Sequence, residues 1–314
     1  MNTPLSQMVN YSSNGSVVIL GMHRSGTSAM TRVINVLGLP VCNASDLYSA
    51  PDNPAGHWES ASLTAFNERL LNVLGGRFDA PPDMEDGWEK HRAIANLYSE
   101  AAAVFSRVYT TNIWVWKDPR TCLTLPFWRA IWADAPVAVF VHREPLEVSR
   151  SLSRRDGIGK AHCVALWERY ARSALHNAEG LPLVTVRFDE VMADPAFAIA
   201  QLRRQLIALG ISAPGDIHEA AQFVSPEQAA SRHMNLRLAD DRDATDAQRS
   251  LLTIVDSLPR MTSSFAAPDL GEESASTTEL LSAIREYHPR FRAVLRELWP
   301  AFHKAMLNRL SQIK

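Results

Sequence analysis

The stretch Gly21-Met22-His23-Arg24-Ser25-Gly26-Thr27-Ser28 lies between the apolar run Val17-Val18-Ile19-Leu20 and a segment with helical spacing. A strand, a glycine-bounded loop and a helix N-terminus in that order aim backbone N–H groups and the positive end of a helix dipole at one point. That arrangement suits a phosphate or sulfate oxygen. The loop comes close to the Walker A pattern, but Thr27 stands where the pattern has lysine. A nucleotide kinase or nucleoside triphosphatase uses that lysine on the terminal phosphates beside a magnesium ion. Asp118 is the one acid near a second strand that suits such a metal. The cation lies inside the loop instead, as Arg24, whose forked guanidinium holds two oxygens of a tetrahedral anion at once. Read alone, the loop is either a tight strand-to-helix turn or an anion cradle; an arginine between two glycines favours the cradle.

Three more apolar runs end in charged residues. Ile113-Trp114-Val115-Trp116 leads into Lys117-Asp118-Pro119-Arg120, Val137 to Val141 into His142-Arg143-Glu144-Pro145, and Leu183 to Val186 into Arg187-Phe188-Asp189. Strands of this kind, each with helical sequence on either side, predict a parallel sheet whose carboxyl edge carries the chemistry. Arg143 is followed by Pro145, which suits a first helical turn, and by Ser151 two turns on, so both can face one ligand. The bland alternative is a surface arginine and an ordinary helix serine. Lys117 is one of only five lysines and stands at the mouth of a buried strand. It is either a cation for chemistry or the partner of Asp118 or Glu59 in an ion pair that closes the strand end.

The loop resembles the 5′-phosphosulfate loop of sulfotransferases that use 3′-phosphoadenosine 5′-phosphosulfate (PAPS), in the arginine form similar to tyrosylprotein sulfotransferases and many bacterial members. The run from Arg143 to Ser151 resembles the 3′-phosphate motif of the same enzymes, an arginine at a strand end and a serine eight positions later. The likeness covers roughly residues 16 to 200. It implies donor contacts from His23, Arg24, Ser25, Gly26, Thr27, Ser28, Arg143 and Ser151, and no metal. Lys117-Asp118-Pro119 is similar to the strand-end Lys-Asp-Pro of tyrosylprotein sulfotransferases, which implies that Lys117 and Arg24 meet transition-state charge. Asn53-Pro54-Ala55-Gly56-His57-Trp58-Glu59 is similar to an Asn-Pro-x-Gly-aromatic-aromatic-Glu segment of bacterial members. Glu59 is the first choice for the catalytic base, and His57 is the alternative, since sulfotransferases use either residue type and an ordinary imidazole suits neutral pH.

Other polar residues carry less. His142 and His162 read as structural, and Trp167 with Tyr170, one turn apart, as core. Arg120 is expected to touch the acceptor or the donor. Arg187, Asp189, Arg232 and His233 are candidates to close over the donor.

The elements that must position these groups follow from periodicity. Met30, Val33, Ile34 and Leu37 give a helix after the loop, ended by Gly38; Leu63, Phe66, Leu70, Val73 and Leu74 give a second. Residues 40–61 are rich in turn formers and suited to presenting side chains. A helix is expected over Glu89 to Val108 and another over Pro195 to Leu209. Strand signals cease after 211. Residues 259–277 read as a mobile linker, and Leu295, Leu298, Phe302, Met306 and Leu310 fit a last helix.

The expected fold is α/β, a P-loop-NTPase-like parallel sheet flanked by helices. Residues 1–15 form a flexible lead-in, 16–210 the donor-binding core and 211–314 a helical C-terminal part of the same domain. A chain of 314 residues, 46% hydrophobic and with a net charge of −2, buries a full core and gives no basic excess for nucleic acid. Three widely spaced cysteines lack metal or redox spacing, and the N-terminus lacks a signal sequence, which together predict a cytoplasmic protein without a membrane span. The predicted function is PAPS-dependent transfer to a hydroxyl or amine acceptor: a small molecule, carbohydrate, lipid or peptide. The alternatives are a nucleotide kinase or triphosphatase on the same fold, and a non-catalytic nucleotide-binding module.

Overall fold

The structure, a computed structural model, describes residues 15–48, 56–132, 134–224 and 237–287. A five-stranded sheet in the order β2-β1-β3-β4-β5 forms its centre. Strands β1 (Val17–Leu20), β2 (Val115–Lys117), β3 (Val137–His142) and β4 (Leu183–Arg187) are parallel, and β5 (Met261–Thr262) runs antiparallel to β4. Every residue of β1, β2 and β3 is buried, because helices cover both faces of a parallel sheet and leave no side for polar alternation.

The helices used below are α1 (Thr27–Val36), α2 (Ala61–Val73), α3 (Tyr98–Val108), α4 (Thr121–Arg129), α5 (Pro145–Asp156), α6 (Lys160–Asn177), α7 (Pro195–Ala208) and α8 (Asp246–Ser257). Successive strand residues feed opposite faces. Val17 and Ile19 join Met30, Val33 and Ile34 of α1 and Leu202 of α7 in one core, while Val18 and Leu20 join Trp116, Phe140 and α2 to α6 in the other. Ile19 pairs with both Lys117 and Val139, and Leu20 pairs with Phe140. The Gly21 loop, Lys117 and Arg143 therefore leave the sheet at one edge.

Several expectations need correction. The stretch 89–108 is not one helix but a 3-10 turn at Trp88–Lys90, a short helix at Arg92–Ala95 and α3. His91 interrupts it with an extended ψ of 141° and an imidazole nitrogen that accepts from Ala93 N. Val73 and Ile113, expected in the core, are exposed, while Leu71 is buried. Residues 259–277 carry β5 and place Phe265, Ser274 and Thr277 in the interior. Buried Glu168 accepts from Ser274 N at 2.8 Å and Thr277 Oγ1 at 2.7 Å, and Arg172 donates to the carbonyls of Leu270, Gly271 and Glu272. Backbone carbonyls and hydroxyls anchor this stretch, and they leave no hydrophobic pattern in a sequence. The expected helix at 295–310, Arg232, His233 and Asn53-Pro54-Ala55 lie outside the described residues.

Candidate active site

Glycine is required at two points of the loop. Gly21 has φ 146°, and a Cβ there would come within 2.5 Å of Val141 O. Gly26 has φ 94°, and its Cβ would enter the Phe188 ring at 2.2 Å. The chain turns with Ser25 N donating to Met22 O at 3.1 Å. Helix α1 then starts without a side-chain cap, which leaves first-turn N–H groups for a ligand oxyanion. Gly21 N donates to Cys122 Sγ at 3.1 Å. Burial pushes the Cys122 thiol up to about 12, so it is a neutral acceptor here and not a nucleophile.

Arg24 takes a left-handed backbone, φ 69°, a conformation non-glycine residues hold only where surrounding structure enforces it. Its Nε donates to Ser151 Oγ at 2.9 Å, and Arg143 Nη1 donates to Arg24 O at 3.4 Å. The loop and the Arg143-to-Ser151 segment thus meet in space. Arg143 also donates from Nε to Glu147 Oε2 at 2.8 Å, one helical turn along.

Beside the loop, Lys117 Nζ donates to Ser28 Oγ at 3.1 Å and to Glu59 Oε1. The two charged side chains are 1% and 7% exposed. Glu59 is held there from both sides. Tyr48 N donates to Glu59 O at 2.7 Å, and Ser60 Oγ accepts from Leu63 N as the N-cap of α2. Trp58 turns through φ 57°, and its ring takes the guanidinium of Arg32 at 4.6 Å. His57 is buried with its ring edge-on to Tyr48 at 5.2 Å. Of the two base candidates, Glu59 is the one bonded to Lys117.

His23 is 7% exposed, and its Nε2 has no hydrogen-bond partner among the described residues. Its ring packs against Phe78 at 5.1 Å and Tyr170 at 5.8 Å. Burial, with added repulsion from Arg120, Arg155, Lys117 and Arg24, holds the imidazole well below its usual range, so it is neutral at pH 7.

The end of β2 is clamped by α2. Asn67 Nδ2 donates to Asp118 Oδ2 at 2.8 Å and its Oδ1 accepts from Thr124 and Trp128. Asp118 Oδ1 accepts from Arg120 N and Nη1, both at 3.0 Å, and Glu68 Oε1 takes Arg120 Nε. Burial raises the Asp118 carboxyl while Arg120 opposes the rise. Asn67, Glu68 and Phe78 were missed from sequence. The legible signal was Asn67, a polar residue in the apolar stripe Leu63, Phe66, Leu70.

Three of the remaining candidates point elsewhere. His142 faces Asp256 at 3.4 Å, His162 Nε2 meets the Asp79 carbonyl at 2.5 Å, and Arg187 donates to the Asp256 carbonyl. Trp167 and Tyr170 are core, though Tyr170 also donates to Phe78 O at 2.8 Å and backs the loop. Among the described residues no cluster of His, Cys, Asp and Glu fits a metal ion, and no helix is long and apolar enough to cross a membrane.

A search of curated proteins finds no match to the chain. Solved structures that resemble it include the sulfotransferase domain of the Synechococcus PCC 7002 olefin synthase, at 14% identity and TM-score 0.39 over 88% of this chain and 97% of that one. The sulfotransferase domain from the curacin biosynthetic pathway matches at 17% identity and TM-score 0.37 over 86% and 97%. A sulfotransferase from Mycobacterium tuberculosis matches at 17% identity and TM-score 0.39 over 70% and 74%. A family model described as the sulfotransferase family matches residues 16–212, a span that holds the loop, Glu59, Lys117, Arg143 and Ser151. With more than half of its length matched, the chain belongs to the sulfotransferase family.

Proposed function

We propose that this sulfotransferase takes its sulfuryl group from PAPS and passes it to a hydroxyl or amine by in-line transfer. The observation that carries the reading is the junction of two anion-binding segments, in which Arg24 reaches Ser151 and Arg143 reaches the Arg24 carbonyl. A donor with a 5′-phosphosulfate and a 3′-phosphate needs two such segments side by side. The glycine cradle at Gly21 and Gly26 and the uncapped start of α1 fit the first group, and Arg143 with Ser151 fit the second.

When bound, PAPS supplies a sulfuryl group already joined to a good phosphate leaving group. Backbone N–H groups at the start of α1, with His23, Ser25, Gly26, Thr27 and Ser28, hold the phosphosulfate. Arg24 and Lys117 meet the charge that grows on the sulfuryl oxygens and the departing phosphate. Glu59 receives the acceptor proton as the new O–S bond forms and the S–O bond to the phosphate breaks, with His57 as the alternative base. Helix α2 and β2 keep Glu59 against Lys117, which orients one carboxylate oxygen and leaves the other for the acceptor. Three unpaired, buried cysteines support a cytoplasmic setting.

Titration calorimetry with 3′,5′-adenosine bisphosphate, the product, is the test. Binding weakened about tenfold or more in Arg143→Ala, as expected for a lost charged hydrogen bond, supports the site. Equal affinity in both proteins removes it.

A further inference from the structure

The geometry points to an acceptor subsite formed by Phe78, Arg120 and Glu68, built for a neutral polyhydroxylated acceptor such as a glycoside. It rests on the donor placement proposed above. In that placement the donor extends from the β1 loop towards Arg143 at the end of β3, and β2 lies on the other side of β1. In-line transfer brings the acceptor in opposite the leaving phosphate, so it arrives from the β2 side. The side chains there are Glu59 and Lys117, then Arg120, Glu68 and Phe78.

Arg120 is fixed before any ligand arrives. Its Nε is taken by Glu68, its Nη1 by Asp118, and Asp118 is in turn held by Asn67. The guanidinium lies 5.3 Å from the Phe78 ring centre. Its Nη2 has no partner among the described residues, and neither does the second carboxylate oxygen of Glu68, whose side chain is 28% exposed. Phe78 is half-buried, and its carbonyl is tied down by Tyr170.

This corner offers the half-buried Phe78 ring, one N–H edge and one carboxylate oxygen within a small span. A ligand that matches all three has an apolar face and adjacent oxygens that both donate and accept, as a sugar ring does. Charge excludes the obvious competitors. Arg120 and Lys117 are each met by carboxylates, Glu59, Glu68 and Asp118 together outnumbering them, so neither offers an acidic acceptor an unmatched charge. A simple phenol would leave the Arg120 edge and the Glu68 oxygen desolvated and unpaired.

The test is transfer of label from [35S]PAPS to p-nitrophenyl β-D-glucopyranoside, p-nitrophenyl β-D-glucuronide and p-nitrophenol, with adenosine-bisphosphate calorimetry on each sample. The glucoside is expected to be labelled faster than the other two. Arg120→Lys, which keeps the charge and loses the Nη2 edge, and Phe78→Leu should each slow labelling of the glucoside about tenfold with product affinity within about twofold of the parent. Labelling of the glucuronide or phenol at an equal or higher rate overturns the inference, as does an Arg120→Lys protein unchanged on the glucoside. A parent protein that binds adenosine bisphosphate but labels no glucoside also overturns it. One that binds no adenosine bisphosphate refutes the donor reading instead.

Discussion

Arg24 Nε and Ser151 Oγ lie 2.9 Å apart although 127 positions separate the two residues. The bond closes the Gly21 loop onto the face of α5 that follows Arg143. One arginine therefore senses both halves of the proposed donor site.

Ser151→Ala removes the neutral acceptor of that bond. Adenosine-bisphosphate affinity should fall about fivefold, the worth of one ordinary hydrogen bond. Arg24→Ala should cost tenfold or more, because a charged donor is lost as well. Calorimetry separates the two, and an Arg24→Ala protein no weaker than Ser151→Ala would contradict the role of the guanidinium.

The Lys117–Glu59 pair is buried on both sides. Removing one partner leaves a lone charge in the interior, so Lys117→Met or Glu59→Leu should each lower unfolding free energy by about 3–5 kcal/mol. The double variant should recover most of that loss while remaining inactive. Urea denaturation and [35S]PAPS turnover on the same samples give both readouts.

Gly26→Ala forces a methyl group into the Phe188 ring and a side chain onto a left-handed backbone. A cost of about 1–3 kcal/mol in stability is expected, together with lost adenosine-bisphosphate binding. Adding Phe188→Leu should relieve the crowding without curing the backbone, so stability returns only in part. Thermal unfolding with and without ligand reports on each.

His23 gives a pH signature. Its folded-state value lies below the usual 6.5 because of burial first and neighbouring cations second. Below 6.5 the unfolded chain binds a proton that the folded protein refuses, so stability declines as pH falls from about 6.5 towards the depressed value and is level above it. His23→Gln should flatten that slope by up to about 1.4 kcal/mol per pH unit. His162, also lowered by burial, keeps a smaller slope of the same sign in the variant. Denaturation midpoints between pH 5 and 8 decide the matter; an unchanged slope would mean that His23 titrates normally.

Residue type and order alone decided much of this protein. Buried parallel strands read as unbroken apolar runs, so Val17–Leu20, Val137–Val141 and Leu183–Val186 announced the sheet, and the charged residues after them marked the edge that carries the candidate site. Gly21 and Gly26 announced a backbone that no other residue adopts easily, and the missing lysine at Thr27 spoke against triphosphate chemistry. The sequence left the partner of Lys117 open between Asp118 and Glu59, and the structure pairs it with Glu59.

Tertiary structure alone decided which distant side chains face one another. Asn67 and Glu68 carry no motif, and only the packing of α2 on the end of β2 turns them into the clamp that aims Arg120. Phe78 lies in a short turn, and a hydrogen bond from Tyr170 on α6 holds it beside the His23 ring of the loop. Residues 259–277 looked like a linker because their anchors are carbonyls and hydroxyls that meet Arg172 and Glu168 from far along the chain. Periodicity records what a segment does with water, one face at a time. Hydrogen bonds between segments a hundred residues apart leave no such record, because each partner looks locally like any other polar residue.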